Sequence, residues 1–225
     1  MVRARLPRRD RRHLPGGVSG ITVVSIDPSQ QTPRENYFLL TNLVVPRPIA
    51  WVSTLGPGGV RNLAPHSYFN VVSTDPPIIH FTQTGRKDTL NNVEATGEFV
   101  VNVVSEDLAE AMNLTAADFP PGEDEFTWAG VEATASSSVA PPRVADARAA
   151  FECRVRSILP MGNGNMVFGD VLAVHIDEDV WAGGRVDVAA MAPVGRLGGS
   201  AYATVKDIFR LARPTWADLR GTTPE

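Results

Sequence analysis

The amino-acid sequence predicts a mainly β fold, either a closed barrel or a sandwich. Short runs rich in β-branched and aromatic residues recur along the chain, which is typical of strands in an all-β domain. Strong turn signals separate several of these runs, for example at residues 56–59 and 75–77. The predicted helices are few and do not alternate regularly with the strands, so we do not expect a doubly wound sheet.

The strands are predicted from alternating or continuous apolar runs. Pro46 and Pro48 impose an extended entry into the strand at 49–55. The run 99–104 is apolar on both alternating faces and predicts a buried strand. The flexible turn 162–164 joins the two longest strands. The predicted strands are 21–26, 49–55, 60–63, 68–72, 78–83, 99–104, 151–159 and 166–176.

Three helices are predicted. A proline in the first turn favours a helix over 33–43, and Gly97 ends a second helix that begins at Lys87. Ser105 is predicted to cap a third helix that reaches about Leu114. We predict an acidic surface loop at 118–128. The first helix is expected to face the core with Tyr37, Leu40 and Leu43.

Composition and charge restrict the class of protein. The 225 residues, 43% hydrophobic and 20% charged, suit one globular domain. Residues 1–20 are interpreted as a disordered basic leader and 21–225 as a single domain. Outside this leader, which holds six arginines and Asp10, the chain has 15 basic and 24 acidic residues. A domain this acidic is not expected to bind nucleic acid.

The cysteine content indicates a reducing environment. Cys153 is the single cysteine, so neither an internal disulfide nor a cysteine-based metal cluster is expected. We interpret it as a small buried hydrophobe. No apolar run is long enough for a membrane span, and no apolar segment follows the basic leader as in a secretory signal. These features favour a cytoplasmic protein without membrane partners.

The common catalytic motifs are not found in the sequence. There is no HExxH, no P-loop and no GxSxG, and the four histidines lack metal-ligand spacing, so no metal site is predicted. A chain of this kind often delegates its chemistry to a cofactor.

The strongest candidate for a phosphate site is the start of the second helix. Arg86 and Lys87 supply positive charge there, and Thr89 supplies a hydroxyl donor. The unpaired N–H groups of a helix start also attract anions. The alternative interpretation is ordinary capping by Asp88 with solvated basic neighbours.

Two further stretches carry polar groups at predicted strand ends. Ser53 and Thr54 follow Trp51 just before a tight turn and could bind a phosphate or a polar ring edge. Ala64 and Pro65 are predicted to interrupt the sheet and to leave free backbone groups for a heterocycle. The alternatives are a half-exposed strand end and a plain bend. This second stretch comprises Asn62, Leu63, Ala64, Pro65, His66 and Ser67.

Taken together, these stretches resemble the flavin reductase-like family, whose fold is the FMN-binding split barrel. The most specific strings are PRPIAWVST at 46–54 and NLAPHSYFN at 62–70. Weaker echoes occur at 87–92, 97–102, 168–171 and 195–199. The resemblance covers roughly residues 25–205.

The resemblance implies a homodimeric split barrel with a few peripheral helices and with FMN near the subunit interface; FAD is less favoured. Ser53, Thr54 and the segment 86–89 would hold the phosphate and ribityl chain. Residues 62–67 would border the isoalloxazine ring. Gly198, Gly199 and Tyr202 match a late segment that approaches the ring.

One position departs from the family pattern. Many members carry a histidine just before the strand at 166–171, and it is linked to the use of nicotinamide. Asn165 occupies this place here. Asparagine does not titrate near neutral pH as histidine does.

Three functional hypotheses follow. The first is an FMN-dependent oxidoreductase that takes electrons from NAD(P)H and supplies a partner monooxygenase or another acceptor. The second is an FMN-binding electron carrier without NAD(P)H activity, which Asn165 favours. The third is an interaction protein that has lost the cofactor; the retained Ser53, Thr54, Lys87 and Thr89 argue against it.

Overall fold

A computed structural model of the protein describes residues 23–220. The chain divides into a short segment that ends at Tyr37 and a body that begins at Phe38. In the segment, the Ser29 N–H donates a 2.9 Å hydrogen bond to Asp27 and so caps a 3₁₀ turn at Pro28–Gln30. Residues 23–26 have no regular structure, so the strand predicted there is wrong over its described part. The predicted leader lies outside the described residues.

The helices of the described chain are short. They are α1 (Pro33–Leu43), α2 (Asp88–Thr96), α3 (Ala109–Leu114), α4 (Glu125–Trp128), α5 (Val188–Met191) and α6 (Trp216–Leu219). Further 3₁₀ turns lie at Glu106–Leu108 and Glu178–Val180. The first two predicted helices are confirmed, and the third forms as a 3₁₀ turn followed by α3.

The strands account for most of the body. They are β1 (Arg47–Pro48), β2 (Ala50–Leu55), β3 (Arg61–His66), β4 (Phe69–Thr74), β5 (Pro77–Thr84), β6 (Glu98–Val103), β7 (Ala133–Thr134), β8 (Arg143–Val144), β9 (Ala149–Met161), β10 (Gly164–Ile176), β11 (Trp181–Ala182), β12 (Arg185–Val186), β13 (Val194–Arg196) and β14 (Tyr202–Thr204).

Seven strands form one large antiparallel sheet in the order β3-β2-β6-β9-β10-β5-β4. Its two end strands, β3 and β4, are consecutive in the chain and are joined by Ser67 and Tyr68 alone. The sheet is curled, as the distance of 4.9 Å between the ring of His66 on β3 and the ring of Phe81 on β5 shows. The predicted mainly β fold is therefore confirmed at the level of class.

Alternation along the strands creates two apolar clusters on opposite faces of the sheet. In β2, Ala50 and Val52 enter one cluster together with Phe81 and Phe99, whereas Trp51 enters the other. Strand β6 is buried on both faces, as predicted from its continuous apolar run. The second cluster is covered by α3 and α4, which contribute Met112 and Phe126.

Several local predictions are wrong. Tyr37, Leu40 and Leu43 are exposed, because periodicity shows which residues share a side of a helix but not what covers that side. Ala64 and Pro65 do not interrupt the sheet, because both are part of β3 and pair with Val52 and Trp51 of β2. Proline, which lacks an N–H, is tolerated there because β3 is an end strand of the sheet and has no neighbouring strand on its outer side that would accept a hydrogen bond.

The acidic loop predicted at 118–128 is only partly a loop. Its end forms α4, where Asp124 caps the helix by accepting a hydrogen bond from the Phe126 N–H. Glu125 is buried and accepts a 3.0 Å hydrogen bond from the Leu63 N–H. Burial raises the pKa of this carboxyl, so Glu125 is a structural residue and not a solubility charge.

Candidate functional site

Two buried hydrogen bonds attach α2 to the ends of β2 and β3. Asn92 Nδ2 donates to Thr54 Oγ1 over 3.0 Å, and Asn62 Nδ2 donates to Thr89 Oγ1 over 3.1 Å. Thr54 and Asn62 are directly opposite each other in the β2–β3 pair, so their side chains lie on one face. The structure therefore brings three predicted site residues, Thr54, Asn62 and Thr89, to the start of α2.

The start of α2 carries charges of both signs, because Lys87 is followed by Asp88 in the first turn. Lys87 occupies the N-cap position in an extended conformation and forms no side-chain cap, whereas Gln83 Oε1 accepts from the Leu90 N–H in the first turn. Asp88 lies in the first turn and is not the cap, so the capping role that the alternative interpretation gave it is wrong. Lys87 Nζ lies 2.5 Å from Asp118 Oδ1 and its side chain is 63% exposed. Because this ion pair is so exposed, a ligand anion can compete for the ammonium group.

His66 faces the same region with an unpartnered ring nitrogen. Its Nε2 atom is buried and has no hydrogen-bond partner in the part of the chain that the structure describes. Burial, followed by the charge of Lys87, lowers the pKa of His66 to about 4. The imidazole is therefore neutral at neutral pH, so it suits a hydrogen bond to a ligand better than proton donation.

Gln83 provides a second unpartnered nitrogen. Its Oε1 accepts a 3.1 Å hydrogen bond from the Leu90 N–H in the first turn of α2. Its Nε2 is buried and lacks a partner among residues 23–220. Buried polar groups of this kind are rare in native proteins and indicate a group that the protein chain itself does not supply.

Other predicted site residues lie on the opposite face of the sheet. Trp51 Nε1 donates to Thr115 Oγ1 over 2.9 Å, and Ser53 Oγ donates to the Pro142 carbonyl. Pro65 pairs with Trp51 and shares that face. The structure therefore does not bring Trp51, Ser53 and Pro65 to the side chains at the start of α2.

The late segment makes its own contacts with other parts of the chain. A Cβ atom at Gly198 would lie 1.9 Å from Asn42 Oδ1, so a larger residue there would displace the Asn42 side chain. Tyr202 donates to Asn113 Oδ1 over 3.1 Å, and Arg196 lies 4.4 Å from its ring centroid. Ser67 Oγ accepts a 3.4 Å hydrogen bond from Arg47 Nε.

Asn165 and Arg86 border the site. Asn165 Nδ2 donates to the Gly85 carbonyl over 3.1 Å, next to the segment that leads into α2. Arg86 instead turns along the helix and forms an ion pair with Glu94. Both basic side chains are therefore ion-paired, and Lys87 is the one that occupies the N-cap position.

Sequence reasoning missed Gln83, Asn92 and Asp118. The alternation of β5 could have identified Gln83. It follows Ile79 and Phe81 on the buried face of the strand, where a polar side chain is unexpected. Asn92 could have been suspected from its place one turn after Thr89. Asp118 could not, because a loop fold brings it to Lys87 from 31 residues away.

The assembled site has binding groups and no nucleophile. An ammonium group and a hydroxyl lie at a helix start, which suits a phosphate. His66 and Gln83 add nitrogen atoms that suit the polar edge of a heterocycle. Cys153 is buried, and burial raises the pKa of its thiol, so it is not reactive. In the described chain no cluster of side chains could hold a metal ion, and no helix is long and apolar enough to cross a membrane.

These features form a polar site at one end of an antiparallel sheet, and the sequence places the chain in a family. The flavin reductase like domain matches residues 42–189, and the chain belongs to this family. The match includes β2, β3, α2 and β10, which carry or border the site described above.

Solved structures similar to this chain share nearly its whole body. One is component B of nitrilotriacetate monooxygenase from Bacillus cereus, with 35% identity, a TM-score of 0.84, and coverage of 85% of this chain and 100% of the other. Another is the 2-nitrobenzoate 2-nitroreductase NbaA of Pseudomonas fluorescens, with 38% identity, a TM-score of 0.81, and coverage of 86% and 98%. A split-barrel protein of Shewanella frigidimarina has a TM-score of 0.76 at 21% identity, with coverage of 83% and 96%, and shows similarity of fold.

Proposed function

We propose that the protein is an FMN-binding oxidoreductase of the flavin reductase type, which passes electrons from NAD(P)H to the flavin. One observation carries the proposal: the start of α2, where the N-cap residue Lys87 forms no side-chain cap, lies beside two buried nitrogen atoms that have no partner in the described chain. A phosphate and a polar heterocycle are the two parts of a flavin mononucleotide that such groups recognise. Membership of the flavin reductase-like family supports the same ligand.

The residues present fit this cofactor. Lys87 and Thr89 would hold the phosphate, while His66 and Gln83 would meet the polar edge of the ring. Asn62 orients Thr89 through its 3.1 Å hydrogen bond. When bound, the flavin supplies the hydride and electron chemistry, and the protein supplies binding, orientation and exclusion of water. His66 remains neutral and so keeps the ring edge free of a fixed positive charge.

The remaining predicted contacts are part of the proposal. Trp51, Ser53, Ala64, Pro65 and Ser67 could reach the cofactor through their main chain. We propose that Gly198 and Tyr202 approach the ring from a second copy of the chain, in a homodimer of split barrels. Exposed apolar side chains are available for such an interface, including Leu159, Met161, Leu172 and Val174 on the β9–β10 hairpin.

The electron acceptor is proposed from the relatives. A similar chain is a component of a monooxygenase, which supports delivery of reduced flavin to a partner monooxygenase. Another is a nitroreductase, which supports direct reduction of a small aromatic acceptor as a second route. A cytoplasmic location fits either route, because NAD(P)H is available there.

Anaerobic titration tests the proposal. Purified protein is mixed with FMN, and NADH or NADPH is added while the absorbance of the flavin is recorded. We expect binding of FMN and bleaching of its visible absorbance by one of the two nucleotides. Protein that neither retains nor binds FMN would overturn the proposal.

One observation favours the electron-carrier alternative. Asn165 stands where many family members carry histidine, and its amide is engaged with the Gly85 carbonyl. The position therefore offers no titratable group to a nicotinamide. If dithionite bleaches the bound FMN but neither NADH nor NADPH does, the protein is an electron carrier. Substitution Asn165→His is then expected to raise the rate with NADH.

A further inference from the structure

Two aromatic side chains form a pair on the surface beside the helix start. The rings of Phe119 and Trp128 have centroids 6.2 Å apart and planes inclined by 37°. Trp128 is 62% exposed, in contrast to Trp51, which is 0% exposed within the second apolar cluster. A large indole face is therefore open to solvent next to a second ring.

Two ion pairs hold the loop that carries these rings against the candidate site. Asp118 contacts Lys87 at 2.5 Å, so Phe119 is one residue from an ion pair for which a phosphate would compete. On the other side, Asp124 contacts Arg61 at the start of β3, through a 2.9 Å hydrogen bond from Nε. Arg61 is adjacent to Asn62, which binds Thr89. The connection through Arg61 does not involve Lys87, so it keeps the aromatic pair beside the helix start when a phosphate competes with Asp118.

The indole ring is also held in place. Trp128 Nε1 donates a 2.8 Å hydrogen bond to Glu123 Oε2. Fixing an exposed side chain costs conformational entropy. If the pair only stabilised the loop, burial of the indole would be the expected gain, but most of Trp128 remains exposed. A fixed and exposed aromatic face is better explained as a stacking surface.

We propose that Phe119 and Trp128 form a stacking site for the adenine ring of a dinucleotide whose pyrophosphate extends past Lys87. The site rests on the proposed function, since it uses the same phosphate position. Aromatic rings beside a phosphate site are a common way to bind a nucleobase. The carboxylates of Glu123 and Asp124 disfavour a second phosphate beside the rings, so a neutral base suits this position better. The adenine comes from FAD or from the nicotinamide dinucleotide.

Binding measurements with ligand pairs that differ in the adenylate half test the site. Dissociation constants are measured for FMN and FAD with the purified protein, and for NAD⁺ and nicotinamide mononucleotide with the FMN-loaded protein. The variants are Trp128→Ala and Phe119→Ala. Trp216→Ala is the matched control, because Trp216 is 68% exposed on α6.

We expect both variants to weaken one adenine-containing ligand by about tenfold and to leave its mononucleotide partner and the control unchanged. A loss confined to FAD assigns the adenine to the flavin, and a loss confined to NAD⁺ assigns it to the nicotinamide dinucleotide. Unchanged binding of both dinucleotides would overturn the site, as would equal weakening of dinucleotide and mononucleotide. If the unsubstituted protein bound no flavin, the proposed function itself would fail, and this site with it.

Discussion

Two buried polar clusters in the same sheet differ in how completely the chain satisfies their central side chains. At one end of β9 and β10, Glu152 is fully buried and accepts hydrogen bonds from the N–H groups of Ser137 (2.8 Å) and Ser138 (2.5 Å). His175 Nε2 lies 2.6 Å from the same carboxylate. Arg143 Nε lies 3.8 Å away and is itself buried without a hydrogen-bond partner among the described residues. At the start of α2, by contrast, His66 and Gln83 each keep an unpartnered buried nitrogen among the described residues.

This difference separates a structural cluster from a binding site. Burial alone would raise the pKa of Glu152, but the N–H groups of Ser137 and Ser138, and then His175, outweigh it and hold that pKa below its usual range. The carboxylate is therefore charged and saturated. At the start of α2, the buried nitrogen atoms of His66 and Gln83 lack hydrogen-bond partners among the described residues, and a ligand can supply them. We infer that the first cluster stabilises the fold and that the second binds the cofactor.

The largest expected effect is loss of stability at the saturated cluster. Substitution Glu152→Ala leaves the Ser137 and Ser138 N–H groups and His175 without their acceptor. We expect the free energy of unfolding to fall by about 3–5 kcal/mol. Urea unfolding at pH 7 measures it. A loss below about 1 kcal/mol, or a selective loss of FMN affinity in protein that is still folded, would contradict the division into two kinds of cluster.

His66 is expected to make the ligand-free protein acid-sensitive. Its pKa falls from 6.5 in the unfolded chain to about 4 in the folded one, so between these values the unfolded state binds more protons. Stability is therefore complete above pH 6.5 and falls as the pH drops towards 4. The loss attributable to this residue is about 3 kcal/mol at most.

Comparison with the variant His66→Gln isolates this effect. Unfolding free energies are measured at pH 7 and at pH 4.5 for both proteins. The variant is expected to lose less stability on acidification than the unsubstituted protein. Equal losses would show that His66 is not held neutral by burial.

The ligand-binding role of the helix start predicts a smaller effect on affinity. Substitution Lys87→Ala should weaken FMN binding by about 1–3 kcal/mol, because it removes a charged hydrogen bond to the phosphate. Arg86→Ala is the matched control, since Arg86 is an exposed, ion-paired cation like Lys87 but does not occupy the N-cap position. Fluorescence quenching of FMN gives both affinities. Equal weakening by the two variants would show that general charge, and not the position of Lys87, attracts the cofactor.

The smallest effect is expected at an exposed ion pair on the same hairpin as Glu152. Arg156 Nε lies 2.7 Å from Asp170 Oδ1, and both side chains are partly exposed. Arg156→Ala should cost less than about 1 kcal/mol. A larger loss would mean that surface pairs on this hairpin contribute as much as its buried carboxylate.

The elements with strong local signals could be predicted from the sequence. Helices α1 and α2 and strands β9 and β10 carry prolines, glycines and alternation that act within a few residues. The course of β3 through Ala64 and Pro65 was missed, because only the sheet order shows that it is an end strand. Which side of α1 is buried depends on tertiary contacts. The periodicity of its apolar residues therefore led to a wrong prediction of which side faces the core.

The candidate site could be predicted only in part, for a related reason. Residue types identified Thr54, Asn62, Lys87 and Thr89, which the structure brings together. Ser53 has the same chemistry as Thr54, but alternation of the strand turns it to the opposite face. The contact of Asp118 with Lys87 depends on how a loop folds, which local pattern does not encode.

Comparison of FMN with riboflavin tests the phosphate anchor most directly, because riboflavin has the same ring system and no phosphate. Both ligands are titrated into the unsubstituted protein and into Lys87→Ala. We expect FMN to bind at least about tenfold more tightly than riboflavin, and this preference to collapse in the variant. Equal affinities of the unsubstituted protein for the two ligands would contradict the assignment of the α2 start as the place where the cofactor is held.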